Sequence, residues 1–152
     1  ILNMYLINQP IELSAPDRND EIMQKFMVSL DLHYRQERNV AFYAAEQCLS
    51  YSYFSEIIKS KTGVTALKWI ISRVIIDSKQ MLEFTNISIK EIADKLNFPT
   101  QTFFGKYFKQ YVGISPKEYR KRCKNRKGDV TANKIEIDLY NYLRNSDTKS
   151  EL

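Results

Sequence analysis

Apolar residues recur every three or four positions along most of this chain. Residues 20–36 show the pattern clearly, with Ile22, Phe26 and Leu30 at four-residue steps. This spacing places the apolar side chains on one face of an α-helix, which would pack against a core. No segment within residues 20–122 shows the alternation of apolar and polar residues that is typical of a strand. The pattern therefore predicts an all-α fold.

Residues that begin or end helices divide the apolar pattern into seven helices. Ser88 and Glu91 have the spacing of a capping box, and Thr65 is suited to cap a long central helix. Gly63 and Gly113 stand where helices end, because glycine adopts the left-handed conformation of a C-terminal stop without strain. The predicted helices cover residues 20–36, 40–47, 52–61, 66–84, 89–96 and 101–111, and a seventh begins at Pro116.

The chain contains an internal repeat with a shift of 50 residues. The matched pairs include Phe54 and Phe104, Lys59 and Lys109, and Gly63 and Gly113. Each copy has the proportions of a helix-turn-helix unit, whose second helix enters the DNA major groove. The helix of residues 66–84, about 28 Å long, would set two such units close to one DNA turn apart, about 34 Å. The structural alternative is a helical bundle whose hairpins merely look alike.

Positive charge is concentrated in one short stretch. The 152 residues have a net charge of +5, yet residues 99–127 hold nine basic residues and one acid, Glu118. Residues 1–98 hold 11 basic and 12 acidic residues, and residues 128–152 hold three and five. Such a cluster attracts polyanions, among which nucleic acid is the commonest. The alternative is a basic face that contacts only solvent.

The composition argues against several other classes of protein. No stretch approaches the roughly 18 apolar residues that span a bilayer, so no membrane partner is expected. Cys48 and Cys123 form no disulfide or metal-ligating pattern and are expected to be bystander thiols in the cytoplasm. A single histidine, His33, and the lack of a glycine-rich phosphate loop argue against an enzyme, a metal site and a cofactor.

The sequence predicts three segments. Residues 1–19 contain two prolines and are interpreted as a linker, residues 20–122 as the helical domain, and residues 123–152 as a tail that is first basic and then acidic. Apolar residues at four-residue steps within residues 135–143 predict a short extra helix in that tail. Because the chain starts at Ile1 without a methionine, we interpret it as a fragment of a longer protein.

The second repeat resembles a known family. Its motifs are SIKEIADKLNF at residues 88–98, Phe103-Phe104, YFK at residues 107–109, Gly113, and SPKEYR at residues 115–120. This combination resembles the DNA-binding domain of the AraC/XylS family of bacterial transcriptional regulators. The resemblance covers about residues 20–122 and is far more specific than a lone helix-turn-helix.

The resemblance implies a seven-helix domain with two helix-turn-helix units joined by a long central helix. It implies a sequence-specific regulator, more often an activator, that binds double-stranded DNA and contacts RNA polymerase. It also implies that the domain is the C-terminal part of a longer regulator, whose N-terminal part senses an effector or forms a homodimer. Residues 1–19 would then be the end of that N-terminal part.

By the same resemblance, the second recognition helix, residues 101–111, faces the DNA bases. The positions expected to face the groove are Gln101, Thr102, Gly105 and Lys106. Gln101 can pair with adenine, and Lys106 can donate to guanine acceptors. Gly105 has no side chain and would let the helix approach the DNA closely. Phe104 and Phe108 of this helix are expected to pack in the core.

The first recognition helix, residues 52–61, is expected to contact bases through Ser52, Ser55 and Glu56. Glu56 can accept a hydrogen bond from cytosine, but it stands where many members of the family have arginine. Two further departures are Val74, where arginine is common, and Gln47, which replaces Leu96 of the second repeat and needs a hydrogen-bond partner. We therefore expect the second unit to contribute more of the affinity.

Phosphate contacts are expected from basic residues beside and beyond the recognition helices. These residues are Lys59, Lys109, Arg120 and Lys121. The basic run of residues 120–127 is expected to leave the seventh helix and touch phosphates, with a solvated tail as the alternative. The alternative function is a helical protein-interaction module with weak or no DNA binding, which Glu56 and the acidic tail would suit.

Overall fold

The structure, a computed structural model, describes residues 15–126. Its elements are α1 (Arg18–His33), α2 (Val40–Glu46), α3 (Tyr51–Thr62), α4 (Ala66–Phe84), α5 (Ile89–Lys95), α6 (Gln101–Val112) and α7 (Pro116–Asn125). No strand occurs within this part of the chain. The predicted all-α fold with seven helices is therefore confirmed.

Side-chain caps determine where most of the helices begin. Five caps accept a hydrogen bond from a backbone N–H of the first turn, the predicted Thr65 and Ser88 among them: Asn39, Thr65, Ser88, Thr100 and Ser115. Glu91 completes the capping box, because its carboxylate accepts from the N–H of Ser88 at 2.7 Å, and this bond lowers the pKa of Glu91. α3 differs from the prediction, since Ser50 caps it and the helix begins at Tyr51 rather than Ser52.

Two larger departures from the prediction lie at the ends of α1 and α7, whereas the ends of the other helices agree to within one residue. α1 ends at His33 because the chain turns there, and the Tyr34 hydroxyl donates to the buried carboxylate of Asp77 in α4 at 2.8 Å. α7 continues to Asn125, so the basic run from residue 120 begins within this helix instead of leaving it. The extra helix predicted at residues 135–143 lies outside the described residues.

The turn inside each helix-turn-helix unit has the same backbone geometry. Cys48 and Asn97 both have a φ of 56°, in the left-handed region. The N–H of Cys48 donates to the carbonyl of Ala45 at 2.9 Å. The next N–H, of Leu49, donates to the carbonyl of Ala44 at 3.0 Å, and both bonds recur around Asn97. This pattern caps the last carbonyls of α2 and α5 and directs the chain into the recognition helix.

Two hydrophobic cores lie along α4. In the first, the ring of Phe26 meets the rings of Tyr43 and Phe54 edge to face at 5.4 and 5.3 Å. Ile70 of α4 belongs to this core, whereas Val74, one turn later, belongs to the second core with residues of α5 and α6. α4 is therefore a structural part of both units and not merely a spacer between them.

Gln47 has the hydrogen-bond partner that the sequence analysis required. Its side-chain amide donates to the carbonyl of Ile22 in α1 at 3.1 Å, which confirms that prediction. Val74, the other departure, is fully buried. Among the described helices, none combines the length and the apolar character needed to cross a membrane.

Candidate nucleic-acid interface

The two recognition helices present equivalent positions to solvent. α3 and α6 are each 12 residues long, and each ends at a glycine in the left-handed conformation. The exposed pairs related by the 50-residue shift include Tyr51 and Gln101, Ser52 and Thr102, Tyr53 and Phe103, Glu56 and Lys106, and Lys59 and Lys109. The repeat therefore extends from the fold to the surface.

α6 has the predicted base-contacting positions on its solvent side. Gln101, Thr102 and Lys106 are exposed, and Lys109 is exposed one turn further along. Gly105 is half-buried, and a Cβ added there would meet no atom within 4 Å. The helix thus has open space at Gly105, beside the exposed ammonium group of Lys106.

α3 has a different charge on the equivalent surface. Ser52, Glu56 and Lys59 are exposed, so an acid occupies the place of Lys106. The hydroxyl oxygen of Ser55 is buried and has no hydrogen-bond partner, so its base contact stays a prediction that its burial does not favour. The physical reason is its register, since Ser55 lies at the border between the buried and exposed sides of the helix.

Aromatic residues of the recognition helices divide between core and surface. Phe104 and Phe108 are fully buried, which confirms their predicted packing. Tyr51, Tyr53 and Phe103 are 58%, 42% and 56% exposed in the first turns of their helices. A tyrosine hydroxyl can donate to phosphate, and an aromatic ring can contact a thymine methyl group. None of the three is among the contacts predicted from the sequence, although their place at the N-terminus of a recognition helix was a usable signal.

Arg120 is part of the fold rather than of the exposed surface. Its Nε donates to the carbonyl of Leu82 at 3.1 Å, and its Nη2 is buried without a hydrogen-bond partner. The guanidinium therefore lies at the C-terminal end of α4, where a cation is favoured by the helix dipole. The phosphate contact of Arg120 stays a prediction that this inward orientation does not favour.

Exposed lysines form a basic face on α7. Lys117, Lys121 and Lys124 are exposed and have the three- and four-residue spacing that places them on one side of the helix. Arg122 pairs with Glu118 at 3.0 Å. Of the three lysines, Lys121 was predicted by name and Lys124 as part of the basic run of residues 120–127, whereas Lys117 was not predicted. The basic face and the exposed lysines of α6 supply much of the positive charge concentrated in residues 99–127.

His33 contacts two side chains of α2, and Cys48 lies in the turn of the first helix-turn-helix unit. The imidazole Nε2 lies 3.6 Å from a carboxylate oxygen of Glu46, and the ring packs edge-on against Phe42 at 5.3 Å. Cys48 is exposed and forms the turn between α2 and α3. Within residues 15–126, no three side chains of the metal-ligating types lie together as a group that could hold an ion.

Comparison with known sequences supports the same architecture. A protein-family model described as a helix-turn-helix domain matches residues 43–122, more than half of the chain. The arabinose operon regulatory protein of Escherichia coli is 30% identical over 92 residues, which are 60% of this chain and 32% of that protein. The regulatory protein PocR of Salmonella typhimurium is 27% identical over 108 residues, 71% of this chain and 36% of that protein. The chain therefore spans about a third of the length of these curated relatives.

Solved structures show the same fold. The DNA-binding domain of AdpA, a global transcriptional factor in complex with a target DNA, has a TM-score of 0.62 and 24% identity, over 69% of this chain and 95% of that domain. The C-terminal domain of AraT, a response regulator from Geobacillus stearothermophilus, has a TM-score of 0.59 and 25% identity, over 76% and 93%. With its repeated units and the match to the family model, this chain belongs to the AraC/XylS family of helix-turn-helix transcriptional regulators.

Proposed function

We propose that this DNA-binding regulator recognises a two-part site, with α6 making most of the base contacts and α3 making fewer. The observation that supports this division is the pair of equivalent exposed faces, which carry Lys106 on α6 and Glu56 on α3. A lysine beside bases is attracted by the surrounding phosphates, whereas a glutamate is repelled by them. The second unit therefore supplies more of the affinity.

On α6, the proposed base contacts come from Gln101, Thr102 and Lys106. The amide of Gln101 can pair with adenine, and the ammonium group of Lys106 can donate to the acceptors of guanine. Open space at Gly105 lets the helix axis approach the DNA. A good base contact discriminates against the wrong base by about 1–3 kcal/mol, a factor of roughly 5 to 150.

On α3, the proposed base contacts come from Ser52 and Glu56. A carboxylate can accept from the exocyclic amine of cytosine, which would make Glu56 selective even though it weakens binding. Tyr51 and Tyr53 are suited to contact the DNA near the entry of the helix, since both are largely exposed there. Ser55 is left out of this set because its hydroxyl is buried.

The proposed phosphate contacts come from exposed lysines at the edges of the two recognition helices and on α7. These are Lys59, Lys109, Lys117, Lys121 and Lys124. Each neutralised phosphate adds about 0.9 to the slope of log affinity against log salt concentration. Arg120 does not belong to the set, because its guanidinium is bound to the carbonyl of Leu82.

Lysine variants of α6 test the proposal on a DNA sequence selected from a random pool. Lys106→Ala should lower affinity for the selected sequence by about 1–3 kcal/mol and relax the preference at one base pair. Lys109→Ala should weaken binding to all sequences alike and lower the salt slope by about 0.9. Lys25→Ala is the matched control, because it removes the same charge from α1, outside both helix-turn-helix units. Unchanged affinity in both α6 variants would mean that α6 is wrongly assigned.

For the whole regulator we extend the proposal to activation of transcription in the bacterial cytoplasm, with contact to RNA polymerase. The resemblance to the family supports this extension, and it also supports a homodimer formed through an N-terminal domain of the full regulator. A reporter promoter with the selected site upstream tests it, since expression should rise when the full regulator is present. A fall in expression would indicate repression at that position, and no effect of any selected sequence would favour the interaction-module alternative.

A further inference from the structure

The loop between α1 and α2 reaches into the second helix-turn-helix unit through Arg38. Its Nη1 donates to the carbonyl of Leu96 at 2.6 Å, and its Nη2 donates to the carbonyl of Asn97 at 2.7 Å. Its guanidinium carbon also lies 4.2 Å from the centre of the Phe98 ring. One side chain of the first unit therefore holds three consecutive residues of the second.

These three residues form the turn that leads into α6. The carbonyls of Leu96 and Asn97 lie at the C-terminal end of α5, where carbonyls lack partners within the helix and a cation is favoured. Asn97 is the residue with left-handed φ, and Phe98 is buried in the second core. The planar guanidinium suits this place because it donates to two acceptors while its central carbon lies over the aromatic ring.

The same loop is also held against the central helix. The Tyr34 hydroxyl donates to Asp77 of α4 at 2.8 Å, and Arg35 pairs with the same carboxylate through its Nε at 2.7 Å. The loop is thus attached to α4 by Tyr34 and Arg35 and to the α5–α6 turn by Arg38. Bending of α4, or rotation of one unit about it, would break the bonds of Arg38.

We infer that Arg38 is a positioning residue for DNA recognition, which sets the orientation of α6 relative to α3 and thereby the spacing of the two parts of the DNA site. The inference rests on the proposed two-part site. Two joined modules gain affinity only when both engage together, and a rigid connection confines that gain to one geometry. Loss of the Arg38 bonds should therefore broaden the accepted spacings without changing the contacts of either unit.

The test uses the two sequence blocks selected by the wild-type chain, placed at separations from two base pairs shorter to two longer. Arg38→Gln removes the charge and the paired bonds, and Arg38→Lys keeps the charge but loses the planar fork. Arg18→Gln is the control, because it removes an arginine at the exposed start of α1. Affinity for each separation, affinity for a single block and thermal unfolding are measured for all four proteins.

The wild type should bind its preferred separation about 100-fold or more tighter than a single block. In both Arg38 variants this ratio of affinities should fall about tenfold, and neighbouring separations should be bound nearly as tightly as the preferred one. The affinity for a single block should stay that of the wild type. Arg38→Lys keeps the test decisive if Arg38→Gln fails to fold. An unchanged spacing profile, or an equal loss on the single block, would overturn the role of Arg38 and leave the proposed function standing. Absence of DNA binding by the wild type would instead overturn the proposed function itself.

Discussion

Replacing Cys48 by asparagine should raise the free energy of unfolding by about 1 kcal/mol. Cys48 has a φ of 56°, and the left-handed conformation costs an ordinary residue about 1–2 kcal/mol. Asparagine adopts it several times more readily, and the equivalent turn of the second unit has Asn97 at the same φ. The Cys48 side chain is exposed, so little packing is lost on substitution.

Thermal unfolding followed by circular dichroism measures this effect. A gain of about 1 kcal/mol corresponds to a rise in Tm of about 4 °C for a domain of this size. Urea unfolding should show a higher midpoint with an unchanged m-value, because the surface exposed on unfolding is the same. The reciprocal variant Asn97→Cys should lose about the amount that Cys48→Asn gains, since the two turns share one geometry.

Cys48→Ala separates the backbone effect from loss of the thiol. Alanine has the same difficulty as cysteine in the left-handed region, so this variant should stay within about 0.5 kcal/mol of the wild type. If alanine stabilised as much as asparagine, the thiol and not the backbone would be responsible. If asparagine gave no gain and Asn97→Cys no loss, the left-handed turn would not govern the stability of either unit.

Three further substitutions test the recognition helices and one cap. Ser55→Ala should raise the free energy of unfolding by about 1 kcal/mol and leave DNA affinity unchanged, because it removes a buried hydroxyl without a hydrogen-bond partner. Weaker DNA binding would show that this hydroxyl contacts DNA. Gly105→Ala should raise the free energy of unfolding in urea by about 1 kcal/mol but weaken DNA binding. Unchanged binding would mean that DNA does not approach the helix at Gly105. Glu91→Ala should lower Tm at pH 7, and the difference from the wild type should shrink as pH falls below 4.5, because the pKa of Glu91 is lower in the folded state and its stabilising effect is lost as the carboxylate becomes protonated. A Tm difference independent of pH would contradict this.

Local signals in the sequence were sufficient to predict the helices and the repeat. Thr65 and the apolar positions after it predicted α4 with the bounds that the structure shows, Ala66–Phe84. Capping residues predict where a helix begins because their hydrogen bonds join positions only two or three residues apart. The start of α3 was missed by one residue, since Ser50 was not considered as its cap.

Contacts between distant residues could not be predicted in the same way. The sequence presents Arg120 as one more cation of a basic run, but its Nε donates to the carbonyl of Leu82, 38 residues earlier in the chain. Nothing in the sequence indicated that Arg38 connects the two units, because its partners lie 58 and 59 residues away in the second unit. The buried hydroxyl of Ser55 depends on how α3 is rotated against the core, which a helical repeat of apolar residues defines only approximately.

Both units of this chain should contact bases within about one turn of DNA, and selection of bound sequences from a random DNA pool measures this. We expect two short enriched blocks with centres about 10 base pairs apart, and the block bound by α6 should be the more sharply defined. Affinity for the winning sequence should fall with salt at a log–log slope of about −4.5, from the five lysines assigned to phosphates. A single enriched block would contradict the role of α3 in base contact, and no enrichment at low salt would contradict specific DNA recognition by this chain.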